Sequence, residues 1–158
     1  MGRPLTFAAP GLDGRLVDVG AERGRVRIVD FWATWCEPCR DALPALDGLS
    51  RELGPRGLSV YGVSIDEDRE HIARFLAQHP VTFPVLWDKD AVLVGRFDVT
   101  TMPATLIVDR AGTIRYVHQG WEPGYAELER REVEALLAES PEGKPTSRAP
   151  LGATADAP

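Results

Sequence analysis

The 158-residue chain is 44% hydrophobic and 27% charged, the balance of an ordinary globular protein with enough length for one well-buried core. Its 24 acidic and 18 basic side chains leave a formal charge of −6 with no basic run, which argues against nucleic acid or an anionic lipid surface as partner. No apolar run approaches the roughly 18 residues of a membrane span, and Met1-Gly2-Arg3-Pro4-Leu5 leads into turn-rich sequence rather than a signal-peptide centre, so the expectation is a cytosolic protein or one whose anchor lies outside this sequence.

Leu5-Thr6-Phe7 and Leu16-Val17-Asp18-Val19 flank Leu12-Asp13-Gly14-Arg15, where Asp-Gly suits a tight turn, and predict an N-terminal β-hairpin. After a linker from Gly20 to Gly24, Val26-Arg27-Ile28-Val29-Asp30-Phe31-Trp32 is rich in β-branched and aromatic residues, as expected of a strand buried on both faces. Asp30 is the anomaly in it.

Ala42, Leu46, Leu49 and Leu53 recur at helical spacing, so Glu37 to Leu53 reads as a helix kinked near the internal Pro44. Leu58 to Ile65 reads as the next strand, followed by a helix carrying Ile72, Phe75 and Leu76 that ends before Pro80. Phe83 to Trp87 predicts a short strand and Ala91 to Phe97 a brief helix. Ala104 to Asp109 and Thr113 to His118 flank the turn Arg110-Ala111-Gly112 and should pair antiparallel.

Tyr125 to Glu139 predicts a C-terminal amphipathic helix with Leu128, Val133, Leu136 and Leu137 inward and its charged face solvated. Residues 1–139 are therefore read as one domain. Residues 140–158 are rich in proline, glycine, alanine and small polar residues, the composition of a flexible tail.

The only two cysteines, Cys36 and Cys39, sit where the Val26–Trp32 strand passes into a helix. Two cysteines cannot form a disulfide framework, and a zinc site would need two more ligands from three separated histidines or from carboxylates, so no metal is assigned. A thiol at a helix N-terminus gains thiolate stability from unpaired N–H groups and the helix dipole, which makes Cys36 the attacking sulfur. Cys39, about one turn on, is close enough to resolve the exchange through a Cys36–Cys39 redox-active disulfide, with no other cofactor required. Pro38 loses no hydrogen bond in the first helical turn, whereas Glu37 sets a negative charge beside the sulfurs and should oppose the thiolate, favouring a reductant.

The run Phe31-Trp32-Ala33-Thr34-Trp35-Cys36-Glu37-Pro38-Cys39-Arg40 resembles the thioredoxin superfamily, in its TlpA/ResA/CcmG branch, and the resemblance extends over roughly Leu5 to Glu139. It implies an α/β, thioredoxin-like three-layer α/β/α fold, with a central mixed sheet, an N-terminal β-hairpin and an inserted strand-helix unit matching Leu58 to Pro80 and its following strand. It implies a cis peptide before Pro103, so that Met102 and Pro103 face the dithiol and dock substrate. It also implies that Asp30, six positions before Cys36, moves protons for Cys39; the ResA-like branch often has a neutral residue there, and a solvent-facing strand-end aspartate is the competing reading. Burial of Asp30 would raise its pKa toward neutrality.

The branch's glutamate near the active site maps onto Glu67, although Asp66-Glu67-Asp68 also has the character of a helix cap. Trp35 should lie at the active-site surface against partners, and Trp32 in the core. The function implied is reduction of disulfides in client proteins, in assembly of cytochrome c or copper oxidases, by an extracytoplasmic monomer recharged by a thiol-donating reductase. Two alternatives belong to other classes. A thiol peroxidase of the peroxiredoxin type would want threonine three positions before its cysteine, where this chain has Ala33, and a copper-binding metallochaperone would want a wider cysteine spacing and a histidine.

Overall fold

The computed structural model describes residues 2–139, so the expected tail at 140–158 lies outside the described residues. Strands β1 (Ala8–Pro10), β2 (Leu16–Asp18), β3 (Val26–Trp32), β4 (Leu58–Ser64), β5 (Val85–Trp87), β6 (Ala104–Val108) and β7 (Ile114–Gln119) interleave with helices α1 (Glu37–Leu53), α2 (Arg69–Gln78), α3 (Val92–Arg96) and α4 (Pro123–Leu137). The last five strands form one mixed sheet in the order β5-β4-β3-β6-β7. Strand β3 is central, parallel to β4 and antiparallel to β6, and every one of its seven residues is buried.

Alternation along β3 divides the core in two. Val26, Ile28 and Trp32 pack under α1, α2 and α4 through Leu43, Leu46, Ile72, Phe75, Val133 and Leu136. Val29 and Phe31 face the other way, onto Leu5, Phe7, Val19, Leu93 and Phe97. The second outer layer is thus the N-terminal segment with the five-residue α3, while the longer helices share one face.

The first strand of the N-terminal hairpin lies three residues later than its sequence suggests, and the second falls within the expected run, pairing Ala8↔Asp18, Ala9↔Val17 and Pro10↔Leu16. Its connection is a loop from Gly11 to Arg15, closed by Gly11 N–H to the Arg15 carbonyl at 2.8 Å and by Arg15 N–H to Asp13 Oδ1 at 2.9 Å. Gly14 takes φ +88° there, which glycine adopts without a Cβ clash. The longer loop releases Leu5 to Phe7 to bond elsewhere: Leu5 N–H reaches the Gly112 carbonyl, and the Phe7 carbonyl accepts from Val19 N–H. Helix α1 runs without a break through Pro44.

Helix α4 corrects the expected solvated charged face. Glu129 is 2% exposed, inside the stripe that holds Val133, Leu136 and Leu137, whereas Leu128 is only half-buried. The residue lies four before Val133, which is the spacing of one helix face.

Candidate active site

Strand β3 ends at Trp32, and a turn closed by Cys36 N–H to the Ala33 carbonyl at 3.1 Å sets Cys36 at the N-cap of α1 with extended backbone. Its side chain makes no capping bond, so the sulfur meets the free N–H end of the helix. Cys39 follows in the first turn. The two are joined as a disulfide with Cα atoms 5.4 Å apart. Cys36 retains 5% exposure and Cys39 none, so Cys36 is the sulfur nearer solvent. Glu37 and Pro38 are exposed between them.

Asp66 holds this turn in place, a role the sequence reading did not give it. Its carboxylate accepts from Thr34 N–H at 2.9 Å, Thr34 Oγ1 at 2.6 Å and Ser64 Oγ at 2.6 Å, tying the loop before Cys36 to the end of β4. Trp87 Nε1 donates to the Asp66 carbonyl at 2.7 Å, which links β5 to the same point. Asp66→Asn should lower stability by about 2 kcal/mol, because a buried charge-assisted acceptor is exchanged for a group that can satisfy fewer of these donors. Urea unfolding of the oxidised protein checks this; an unchanged midpoint would show that the loop does not depend on the carboxylate.

Asp68, the residue that caps α2, accepts from Glu70 N–H at 2.9 Å. Glu67 is exposed and lines an open groove of about 990 Å³ with Trp35, Asp66, Asp68, His71 and Lys89. Trp35 is 66% exposed and Trp32 fully buried, as their strand and loop positions predict.

The Met102–Pro103 peptide is cis. Pairing of Phe31 with Ala104 sets Pro103 beside the end of β3, from which the dithiol turn departs. Met102 is half-buried against the cluster containing Cys36 and Cys39. Gln119 Oε1 accepts from Thr100 N–H and Thr101 N–H at 2.7 and 3.0 Å, and Gly120 N–H donates to the Pro103 carbonyl at 2.7 Å, so β7 supports this loop.

Asp30 is fully buried on the α1 face of β3, not at a solvent-facing strand end. Thr105 Oγ1 donates to its Oδ1 at 2.9 Å, while Oδ2 has no partner among the described residues. Burial pushes its pKa well above the usual carboxylate range, the Thr105 hydrogen bond opposes this, and the nearby Glu129 carboxylate adds to the rise. Glu129 is pushed up to about 7, chiefly by burial, with His118 opposing. Among the described residues no group of His, Cys, Asp or Glu is arranged to hold a metal ion, and no helix is long and apolar enough to cross a membrane.

A mixed sheet carrying a two-cysteine disulfide at a strand-to-helix turn, opposite a cis proline, defines a thioredoxin-like dithiol protein. The chain belongs to the AhpC/TSA family, whose model matches residues 2–117. It is 32% identical over 117 residues to the thioredoxin-like protein YneN of Bacillus subtilis, covering 72% of this chain and 68% of that one. It is 26% identical over 108 residues to the thiol-disulfide oxidoreductase ResA of Bacillus cereus, covering 68% of this chain and 62% of the relative's length. A solved structure from Chlorobium tepidum, assigned as a thiol:disulfide interchange protein DsbE, superposes with a TM-score of 0.82 at 31% identity, over 86% of this chain and 96% of that one.

Proposed function

We propose that the protein is a thiol-disulfide oxidoreductase that reduces disulfides in client proteins. The observation that carries the reading is the unequal pair at the start of α1, with Cys36 at the N-cap keeping a 5% edge of exposure and Cys39 sealed from solvent. In the dithiol form, Cys36 thiolate attacks a client disulfide; its sulfur bonds to one client sulfur and the other leaves as a thiolate. Cys39, losing its proton to Asp30, then attacks Cys36. The Cys36–Cys39 bond forms, the second client thiolate leaves, and two electrons have passed to the client. A thiol-donating reductase returns the pair to the dithiol state.

Met102 and Pro103 dock an extended client segment, Trp35 and Pro38 offer apolar contact beside the sulfurs, and Glu67, which shares an open groove with Trp35, is a second proton-holding candidate. An extracytoplasmic setting, clients in cytochrome c or copper-oxidase assembly and a monomeric chain complete the reading, on the resemblance of the run from Phe31 to Arg40 to the TlpA/ResA/CcmG branch. The test mixes the reduced protein with a disulfide-bonded protein such as insulin and counts released thiols, with hydrogen peroxide as the competing oxidant. Insulin thiols should appear in step with oxidation of Cys36 and Cys39. Rapid peroxide turnover without disulfide reduction would overturn the reading in favour of a thiol peroxidase.

Glu37 acts as a brake on thiolate acidity, since its exposed carboxylate stands in the first turn beside Cys36. Glu37→Gln should therefore raise the reduction potential by on the order of 10 mV, a partial step of the roughly 30 mV that a tenfold change in equilibrium requires. Equilibration against glutathione measures it; a fall in potential contradicts the assignment.

A further inference from the structure

Behind Asp30 lies a second buried acid that the exchange chemistry above does not use. Asp30, Thr105 and His118 stand in one row across β3, β6 and β7, with Thr105 donating to Asp30 Oδ1 at 2.9 Å. Helix α4 crosses that row with Glu132 bonded to His118 and the buried Glu129 one turn before it, on the side where the Thr105 hydroxyl favours its charged form. One hydroxyl has one proton to give. When it donates to Asp30 it cannot donate to Glu129, and the carboxyl left out must itself be protonated to hydrogen-bond to Thr105 Oγ1. Asp30 Oδ2 and Glu129 Oε2 are both buried without a partner among the described residues, so leaving both acids charged would strand two desolvated carboxylates side by side.

Glu129 also faces a route outward. His118 stands opposite Thr105 on β7, its Nε2 lies 2.6 Å from Glu132 Oε1, one helical turn after Glu129 on α4, and its ring is 5.6 Å from that of Tyr125. Arg130, the next residue of α4, turns outward to Glu52 and Glu134, so it does not neutralise the buried pair.

We propose that Glu129 and Thr105 form with Asp30 a proton-sharing unit, which removes the Cys39 proton from Asp30 and passes it to the His118–Glu132 pair. The inference rests on the role given to Asp30 above. With one proton shared between the acids, Asp30 is the free base when Glu129 holds it. Asp30 takes the proton of the Cys39 thiol, and the thiolate so formed attacks Cys36 and displaces the client thiolate. Both acids are then protonated, and Glu129 releases its proton toward His118 and Glu132. A shift of the remaining proton from Asp30 to Thr105 Oγ1, with the hydroxyl proton moving to Glu129, restores the base. Glu129 acts through Asp30, so it is a positioning residue.

The test is the pH profile of single-turnover insulin reduction by the reduced, full-length protein, compared among wild type, Glu129→Gln, Thr105→Val, Asp30→Asn and Asp30→Asn/Glu129→Gln. Glu129→Gln should move the apparent pKa of the resolving step down by about one unit, because a negative neighbour of Asp30 is removed. That shift should vanish when Asp30 is asparagine and shrink when Thr105 is valine. A Glu129→Gln profile that superposes on wild type while Asp30→Asn shifts its own overturns the inference; if Asp30→Asn superposes as well, the role given to Asp30 has failed. Infrared difference spectra of wild type, oxidised against reduced, supply a readout that needs no variant. Redox-linked change in protonated-carboxyl absorption supports the unit, and its absence counts against it.

Discussion

Cys39→Ala accumulates a mixed disulfide with an insulin-type client through Cys36, and its turnover falls by orders of magnitude. The expectation follows from the unequal exposure of the pair. Cys36 retains an edge to solvent at the open end of α1, so removing Cys39 leaves the first attack intact. What is lost is the sulfur held one helical turn away, for which no external thiol substitutes efficiently, since an intramolecular nucleophile enjoys a high effective concentration. The adduct should run as a higher band on a non-reducing gel and collapse with dithiothreitol. Cys36→Ala should give no adduct, because Cys39 is sealed from the client. An adduct formed through Cys39, or none at all with Cys39→Ala, would exclude the proposed order of attack.

The dithiol half of this site was legible because its signals are local. The apolar run of β3, the helical spacing from Ala42 to Leu53 and the two cysteines between them mark a strand, a turn and a helix without knowledge of any distant residue. The turn of the N-terminal hairpin was less legible. Asp13-Gly14 suits a two-residue turn, but the Asp13 side chain and the Gly11 amide both bond Arg15, making a wider loop and moving the paired residues to Ala8–Pro10.

The supporting half of the site depends on tertiary pairing. Thr105 becomes a partner of Asp30 only because β6 runs antiparallel to β3 in the register that sets the two opposite. Asp66 reads as one of three acids before a helix, yet the chain folds so that Asp68 caps and Asp66 turns inward to Thr34. For Glu129 a signal was present: it stands at the apolar spacing of Val133, Leu136 and Leu137, and its charge alone made it look solvated. An acid inside an apolar stripe breaks local consistency, and such breaks concentrate at functional sites.

Placing an acid there should also be visible in the stability of the protein. Burial raises Glu129 from an ordinary 4.5 to about 7. An acid with a raised folded-state pKa binds its proton more tightly in the folded than in the unfolded chain, so between these two values the folded state holds more protons. The stability contributed by Glu129 therefore falls as pH rises through that window, is greatest on its acid side, and this group's share of the decline ends above about pH 7. The interval of 7 − 4.5 = 2.5 units corresponds to about 3 kcal/mol. Asp30 is shifted in the same direction and steepens the wild-type decline. Glu129→Gln removes one titration and relieves Asp30 of a negative neighbour, so its decline should be shallower by about 3 kcal/mol or more. Urea midpoints at a series of pH values, for the oxidised forms of both proteins, measure the difference. Parallel profiles across the window would mean that Glu129 titrates as a solvated acid, and the buried pair behind the dithiol would then have to be abandoned.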